Sequence, residues 1–256
     1  MLPNFKNVLD RVVFAMDPKS PTTPLTTEEI TNYAKILGGK VGTFKMNSVF
    51  YGKNRDFALK TIIDSGSSLW IDCKVHDIPE TVLAECVEMV ELVNNLDGDL
   101  RFITVHTSGT GEMLKYAVDG LDEKYGEARP LILGITILTS IGQDAFNKEL
   151  CIFGSIQEHV VHLAKIAQNV GADGIVCSPK EALAVNKVTR QDLLRVTPGI
   201  RFSDQSKDHQ KRVTTPADAI KVADMLVMGS ALKKGNPAEN IARVKKEIEI
   251  GLQDQT

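Results

Sequence analysis

Eight short apolar runs, each followed by a longer amphipathic stretch, set the strongest limit on what this chain of 256 residues can become. The runs are 11–16, 41–46, 68–73, 102–106, 131–136, 174–177, 194–197 and 225–228. Short apolar runs alternating with helix-length amphipathic stretches are the pattern of repeated βα units around a parallel sheet. Helices are expected at 27–37, 56–64, 80–93, 111–121, 156–170, 179–186, 216–222 and 237–250. Ser178-Pro179 and Thr215-Pro216 each place a capping hydroxyl before a proline, which is favourable at the first helical position because its missing N–H needs no partner there. Gly171 follows the fifth helix, where a left-handed residue would close it.

Eight units without a break in composition predict one domain over residues 1–256, a closed (β/α)8 barrel, whose usual length is about 250 residues. An open doubly wound sheet is the alternative, since periodicity does not reveal whether the last strand meets the first. The weakly patterned stretches 139–154 and 201–214 follow the fifth and seventh strands. In a barrel that is the C-terminal face, where active sites are built, so both read as binding loops.

Composition narrows the partners. Apolar residues at 43% and charged residues at 25% suit a globular core rather than disorder. A net charge of −3 gives no general attraction to a polyanion, so nucleic acid is not expected as a partner. Cys73, Cys86, Cys151 and Cys177 form no CxxC pair and are expected as reduced, buried thiols rather than metal ligands. The N-terminus lacks the apolar core of a signal peptide and no run reaches the length of a membrane span, so a cytoplasmic protein without membrane contact is expected.

Ionisable residues at strand ends carry the functional signal, because a buried strand otherwise prefers apolar side chains. Asp17 ends the first strand, Lys45 the second and His106 the fourth, while Asp72, Lys74 and Asp77 straddle the end of the third. Residues two apart on a strand share a face, so Asp72 and Lys74 are expected side by side in the barrel mouth. One such pair would be an ordinary structural ion pair, and His106 alone reads as a structural histidine. Five ionisable residues on three consecutive strand ends point instead to a catalytic site. A second group, Thr197-Pro198-Gly199-Ile200-Arg201, Gln210 to Pro216 and Met228-Gly229-Ser230, belongs to loops after strands seven and eight. Those loops form the recurrent phosphate cradle of this fold, Gly229 allowing close backbone approach and Arg201 offering a planar fork for phosphate oxygens.

The run Asp72-Cys73-Lys74-Val75-His76-Asp77-Ile78-Pro79-Glu80-Thr81 resembles the D-x-K-x-H-D-I-P-x-T signature of orotidine 5′-phosphate decarboxylases. Further matches follow in order across nearly the whole chain, among them Ala15-Met16-Asp17, Phe44-Lys45, Val105 to Gly109, Thr136 to Ser140, Val196 to Arg201 and Gln210 to Pro216. The resemblance implies a homodimeric (β/α)8 barrel that converts orotidine 5′-phosphate to uridine 5′-phosphate without cofactor or metal. It implies that Lys45, Asp72, Lys74 and Asp77 form a charge network, with Lys74 protonating C6 and Asp72 beside the substrate carboxylate. Asp77 and Thr81 would reach into the partner subunit's site, so that active sites are shared. Asp17 and Lys45 would contact the ribose, Thr139 the pyrimidine, and Arg201, Gln210 and Gly229 the phosphate, with Ser230 beside them.

Two positions depart from that pattern. Gly229 is followed by Ser230 where the family has arginine on the phosphate, and Lys45-Met46-Asn47 stands for the family's Lys-Val-Gly. Loss of one charge-assisted contact costs about 1.5–3 kcal/mol, or about ten- to 150-fold in affinity. Lys233 and Lys234 stand nearby to supply the missing charge. Two other readings stay open: a metal-dependent sugar-phosphate decarboxylase or aldolase on the same barrel, against which Lys45 would repel the metal, and a non-catalytic nucleotide-sensing paralogue.

Overall fold

Val13 and Ala15 alternate with Val12, Phe14 and Met16, and all five are buried, so the first strand has no solvent face. A computed structural model, describing residues 5–18, 20, 22–47, 49–205 and 214–254, shows why. Eight parallel strands close in sequence order: β1 (Val12–Ala15), β2 (Thr43–Met46), β3 (Ser68–Val75), β4 (Leu100–His106), β5 (Leu131–Ile135), β6 (Gly174–Val176), β7 (Leu194–Thr197) and β8 (Met225–Met228). Closure runs through β1 and β8, with Val12 opposite Leu226 and Phe14 opposite Met228. The expected barrel is therefore the fold, and the open sheet is excluded.

Period-two alternation splits the core into two layers. Val13, Ala15, Trp70, Phe102, Leu133, Val196 and Val227 fill the barrel interior. Val12, Phe14, Phe44, Ile71 and Ile103 face outward and pack under the helices. Those helices are α1 (Thr27–Leu37), α2 (Arg55–Asp64), α3 (Pro79–Asn94), α4 (Thr110–Tyr125), α5 (Gln143–Lys148), α6 (Ile156–Asn169), α7 (Pro179–Asn186), α8 (Pro216–Ala219), α9 (Ser230–Lys233) and α10 (Pro237–Gln253).

The capping signals act as their chemistry requires. Ser178 and Glu181 form a reciprocal box at the start of α7, and Thr215 Oγ1 accepts the Asp218 N–H at 3.2 Å. Thr26 with Glu29 and Ser155 with Glu158 make the same box on α1 and α6. Gly171 takes φ +86° just past α6, a left-handed turn open to glycine without penalty.

Three expectations are corrected. Helix α8 stops at Ala219 rather than 222. The stretch 139–154 contains α5, a six-residue helix too short to show a 3.6-residue period, with Phe146 as its buried residue. The cysteines divide: Cys86 and Cys177 are buried, Cys73 is half-buried and Cys151 is exposed, all four as free thiols. Burial pushes the Cys86 thiol up to about 12, which makes it inert.

A largely buried ion pair also lies away from the barrel mouth. Arg195 on β7 grips Asp224 through Nε to Oδ2 at 2.8 Å and Nη2 to Oδ1 at 3.0 Å, and its backbone N–H donates to Oδ2 at 2.8 Å. Arg195 faces the helix side, between the inward residues Leu194 and Val196. This fork staples β7 to the turn before β8. No helix among the described residues is long and apolar enough to cross a membrane.

Candidate active site

Strand β3 carries more residues than β4 can match. Ile71 pairs with Ile103 and Val75 with Val105, so Asp72, Cys73 and Lys74 stand opposite Thr104 alone. Lys74 absorbs the excess with φ +53°, a left-handed conformation that a side-chain-bearing residue adopts only at a cost of roughly 1–3 kcal/mol. Asp72 and Lys74 thus meet in the barrel mouth as expected, through a bulge rather than through plain strand alternation.

The bulge is fastened by Thr104. Its Oγ1 accepts the Lys74 backbone N–H at 3.1 Å and donates to Asp72 Oδ1 at 3.0 Å. The other carboxylate oxygen, Oδ2, accepts from Lys45 Nζ at 2.7 Å and from Lys74 Nζ at 2.8 Å. Asp17 Oδ2 lies 4.0 Å from Lys45 Nζ. The result is a row of alternating sign, Asp17, Lys45, Asp72, Lys74. Asp72 is only 4% exposed and Lys45 only 7%, so their attraction is far less screened than that of a surface pair. Trp70, two residues before Asp72 on the same face, puts its ring 5.9 Å from Lys45 Nζ.

This row borders a cavity of about 740 Å³ at the C-terminal end of the strands. Asp17, Lys45, Asp72, Lys74, Thr139, Arg201, Gly229 and Ser230 all line it, so eight residues expected at the site are brought together. Apolar walls come from Ile135, Val176 and Val227, beside the charged row. Gly229 packs closely against Ala15, whose carbonyl oxygen and Cβ would both lie 3.3 Å from any added Cβ. Two of the remaining expected residues lie elsewhere. Asp77 and Thr81 do not line this chain's own cavity. Asp77 is exposed, its Oδ1 accepting the Ile78 N–H at 2.7 Å, and Thr81 is half-buried in the first turn of α3. Gln210 lies outside the described residues, as do 211–213 of its motif.

His106 stacks on His76, ring centroids 5.2 Å apart, and is not part of the cavity lining. Burial, then the neighbouring His76 and Lys74, hold its imidazole below the usual range, with Asp72 acting in the opposite sense. Thr104 and Trp70 are the site residues that sequence reasoning missed. A hydroxyl in the middle of an apolar strand was the available sign of Thr104; Trp70 reads as ordinary core. Among the described residues no group of three or more His, Cys, Asp or Glu side chains is arranged to hold a metal.

Comparison with known proteins adds to this geometry. The family model described as orotidine 5′-phosphate decarboxylase / HUMPS family matches residues 10–244. The chain is 33% identical over 250 residues to an orotidine 5′-phosphate decarboxylase of Geobacter sp. (strain M21), covering 96% of this chain and 99% of that one. It is 39% identical over 190 residues to the one from Staphylococcus saprophyticus, covering 73% and 79%. Among solved structures, orotidine 5′-phosphate decarboxylase from Lactobacillus acidophilus superposes with a TM-score of 0.74 at 30% identity, over 93% of this chain and 98% of that one. An uncharacterized conserved protein from Geobacillus kaustophilus superposes with the same TM-score of 0.74 at 25% identity, over 93% and 99%.

Proposed function

This chain belongs to the orotidine 5′-phosphate decarboxylase / HUMPS family, and from that premise we propose that it is a carboxy-lyase removing CO2 from orotidine 5′-phosphate to give uridine 5′-phosphate, in pyrimidine nucleotide synthesis. What carries the reading at the level of the site is the buried Asp72 carboxylate, bridged by Lys45 and Lys74 beside an apolar cavity.

The bond from C6 to the carboxylate breaks, CO2 departs, and the electron pair left on C6 takes a proton from the Lys74 ammonium. With no electron sink in the ring, that pair needs a cation already in place, and preorganised charge is usually the largest catalytic contribution. Asp72 sits beside the substrate carboxylate and fixes both ammonium groups. Asp17 and Lys45 hold the ribose, Thr139 the pyrimidine, and Arg201, Gln210, Gly229 and Ser230 surround the phosphate. Contacts to that remote phosphate supply binding energy that can be used at the reacting carbon.

The active form is a homodimer with shared sites. Asp77 is exposed and outside its own cavity, which suits a carboxylate serving the neighbouring subunit. Tyr51, 70% exposed, and Ile78, 62% exposed, stand on the loops after β2 and β3 and offer apolar surface for that contact. The reaction draws on no cofactor or metal. A divalent ion at Asp72 Oδ2 would be a third cation on one oxygen, already taken by two ammonium groups, which disfavours the metal-dependent alternative.

The test is the ultraviolet absorbance loss of orotidine 5′-phosphate in buffer containing chelator, with wild type and Lys74→Ala. Wild type is expected to turn over and the variant to lose about 10³-fold or more in kcat. Absence of wild-type turnover would overturn the reading, and turnover abolished by chelator alone would favour the metal-dependent alternative.

A further inference from the structure

Strand β8 delivers no cation to the phosphate end of the cavity, since Gly229 is followed by the uncharged Ser230. Three other cations line that end among the described residues: Arg201, Lys233 and Lys234. They are not equivalent. Lys234 is exposed at the end of α9, where attraction to an anion is weakened by water and salt. Lys233 is half-buried, and its Nζ lies 5.4 Å from the Phe14 ring centroid and 6.0 Å from that of Tyr33. It is also 3.9 Å from where a Cβ on Gly229 would stand, so the ammonium lies close against the Gly229 backbone.

A second contact fixes it there. Lys233 Nζ donates a hydrogen bond to the backbone carbonyl of Asp17, across 216 positions of sequence. That contact fixes where the ammonium stands at the edge of the cavity. Asp17 is the residue whose carboxylate faces Lys45, at the start of the charged row.

We infer that Lys233 is the cation that receives the substrate's phosphate at the β8 end of the cavity, and that its bond to Asp17 ties the bound phosphate to the catalytic row. The inference rests on the reading of the site as a nucleoside-monophosphate decarboxylase. An ammonium between aromatic rings and a backbone carbonyl attracts an anion more strongly than one in bulk water, because the surrounding dielectric is lower. Lys233 then takes the part that a charged side chain at position 230 would play, from one helical turn further along. The line from phosphate to reacting carbon runs through Lys233, Asp17, Lys45, Asp72 and Lys74.

The experiment is calorimetric titration of uridine 5′-phosphate and of uridine into wild type, Lys233→Met and Lys234→Met, each checked for an unchanged melting temperature. Lys233→Met is expected to weaken uridine 5′-phosphate at least about tenfold while leaving uridine within about twofold. Lys234→Met is expected to change uridine 5′-phosphate less than about threefold. Should Lys233→Met fail to fold, Lys233→Gln is judged by the same criteria. A parallel fall of both ligands would reduce Lys233 to a structural residue and overturn the inference, as would uridine 5′-phosphate binding that Lys233→Met leaves unaltered. Wild type that fails to decarboxylate the substrate sinks the function reading. Wild type that turns over, beside a Lys233→Met variant with the same KM, sinks this inference alone.

Discussion

Thr104 holds Asp72 and Lys74 together: one hydroxyl accepts the Lys74 amide at 3.1 Å and donates to the Asp72 carboxylate at 3.0 Å. Thr104→Val keeps the shape and removes both bonds, leaving Asp72 Oδ1 without that donor. A buried acceptor left unsatisfied costs about 1–3 kcal/mol, and each kcal/mol moves Tm by about 2–4 °C at this chain length. The variant is expected to melt several degrees lower and to lose about tenfold or more in kcat, with KM little changed. Wild-type kcat in a folded Thr104→Val protein would remove Thr104 from the catalytic support.

Lys74 combines a charged side chain with a left-handed backbone, and the two can be separated. Lys74→Ala and Lys74→Gly both delete the ammonium, but only glycine accepts φ +53° without strain. Lys74→Gly is expected to be more stable than Lys74→Ala by about 1 kcal/mol in denaturant titration, with both equally inactive. An alanine variant at least as stable would mean that the bulge is not strained.

Acid should weaken the fold through His106. Its folded-state imidazole lies below the usual range, chiefly through burial, so the unfolded chain binds the proton more readily. Stability is therefore unaffected well above the ordinary histidine range, falls as pH drops through that range, and levels off below the folded-state value. His106→Asn is expected to flatten part of this slope between about pH 7 and pH 5, seen as a smaller Tm loss on acidification. His159, lowered by burial and by His162, contributes in the same direction. An unchanged slope in the variant would contradict the assignment.

The Arg195 to Asp224 fork is expected to serve stability without touching catalysis. Asp224→Ala would leave Arg195, 6% exposed, without its carboxylate partner, a change that costs about 3–5 kcal/mol. Chemical denaturation should show that loss while KM and kcat at permissive temperature stay at wild-type values. A loss under about 1 kcal/mol would mean that water or Asn186 replaces the partner.

Ser230→Arg adds a planar fork at the cavity edge. It is expected to tighten uridine 5′-phosphate by about tenfold and to restore most of the affinity lost in Lys233→Met. Unchanged or raised KM in a folded Ser230→Arg variant would show that the pocket has no room for the second cation.

The sequence discloses the barrel because its signals are local and repeated. Val12 to Met16 and Leu226 to Met228 announce strands covered on both sides, and Ser178-Pro179 fixes a helix start to the residue. Charges at strand ends reveal Asp17, Lys45, Asp72 and Lys74 because ionisable groups are costly in such surroundings. Thr104 escaped notice because its role depends on a register shift between β3 and β4, a relation between two strands that neither displays alone. Helix α5 was hidden by brevity. Asp77 shows among the strand-end charges, but a part for it or Thr81 in a partner's site is implied only by family resemblance, because nothing in one chain's periodicity shows that a residue at its own strand end stays out of its own cavity.

Closing β1 onto β8 also governs how two copies can meet. An open sheet can grow by adding a neighbour's strand to its edge, and its assemblies then share backbone hydrogen bonds. This barrel has spent every such edge on itself. Any association through the barrel would therefore be written in side chains, on loops and helix faces that substitution can tune residue by residue while the scaffold stays fixed.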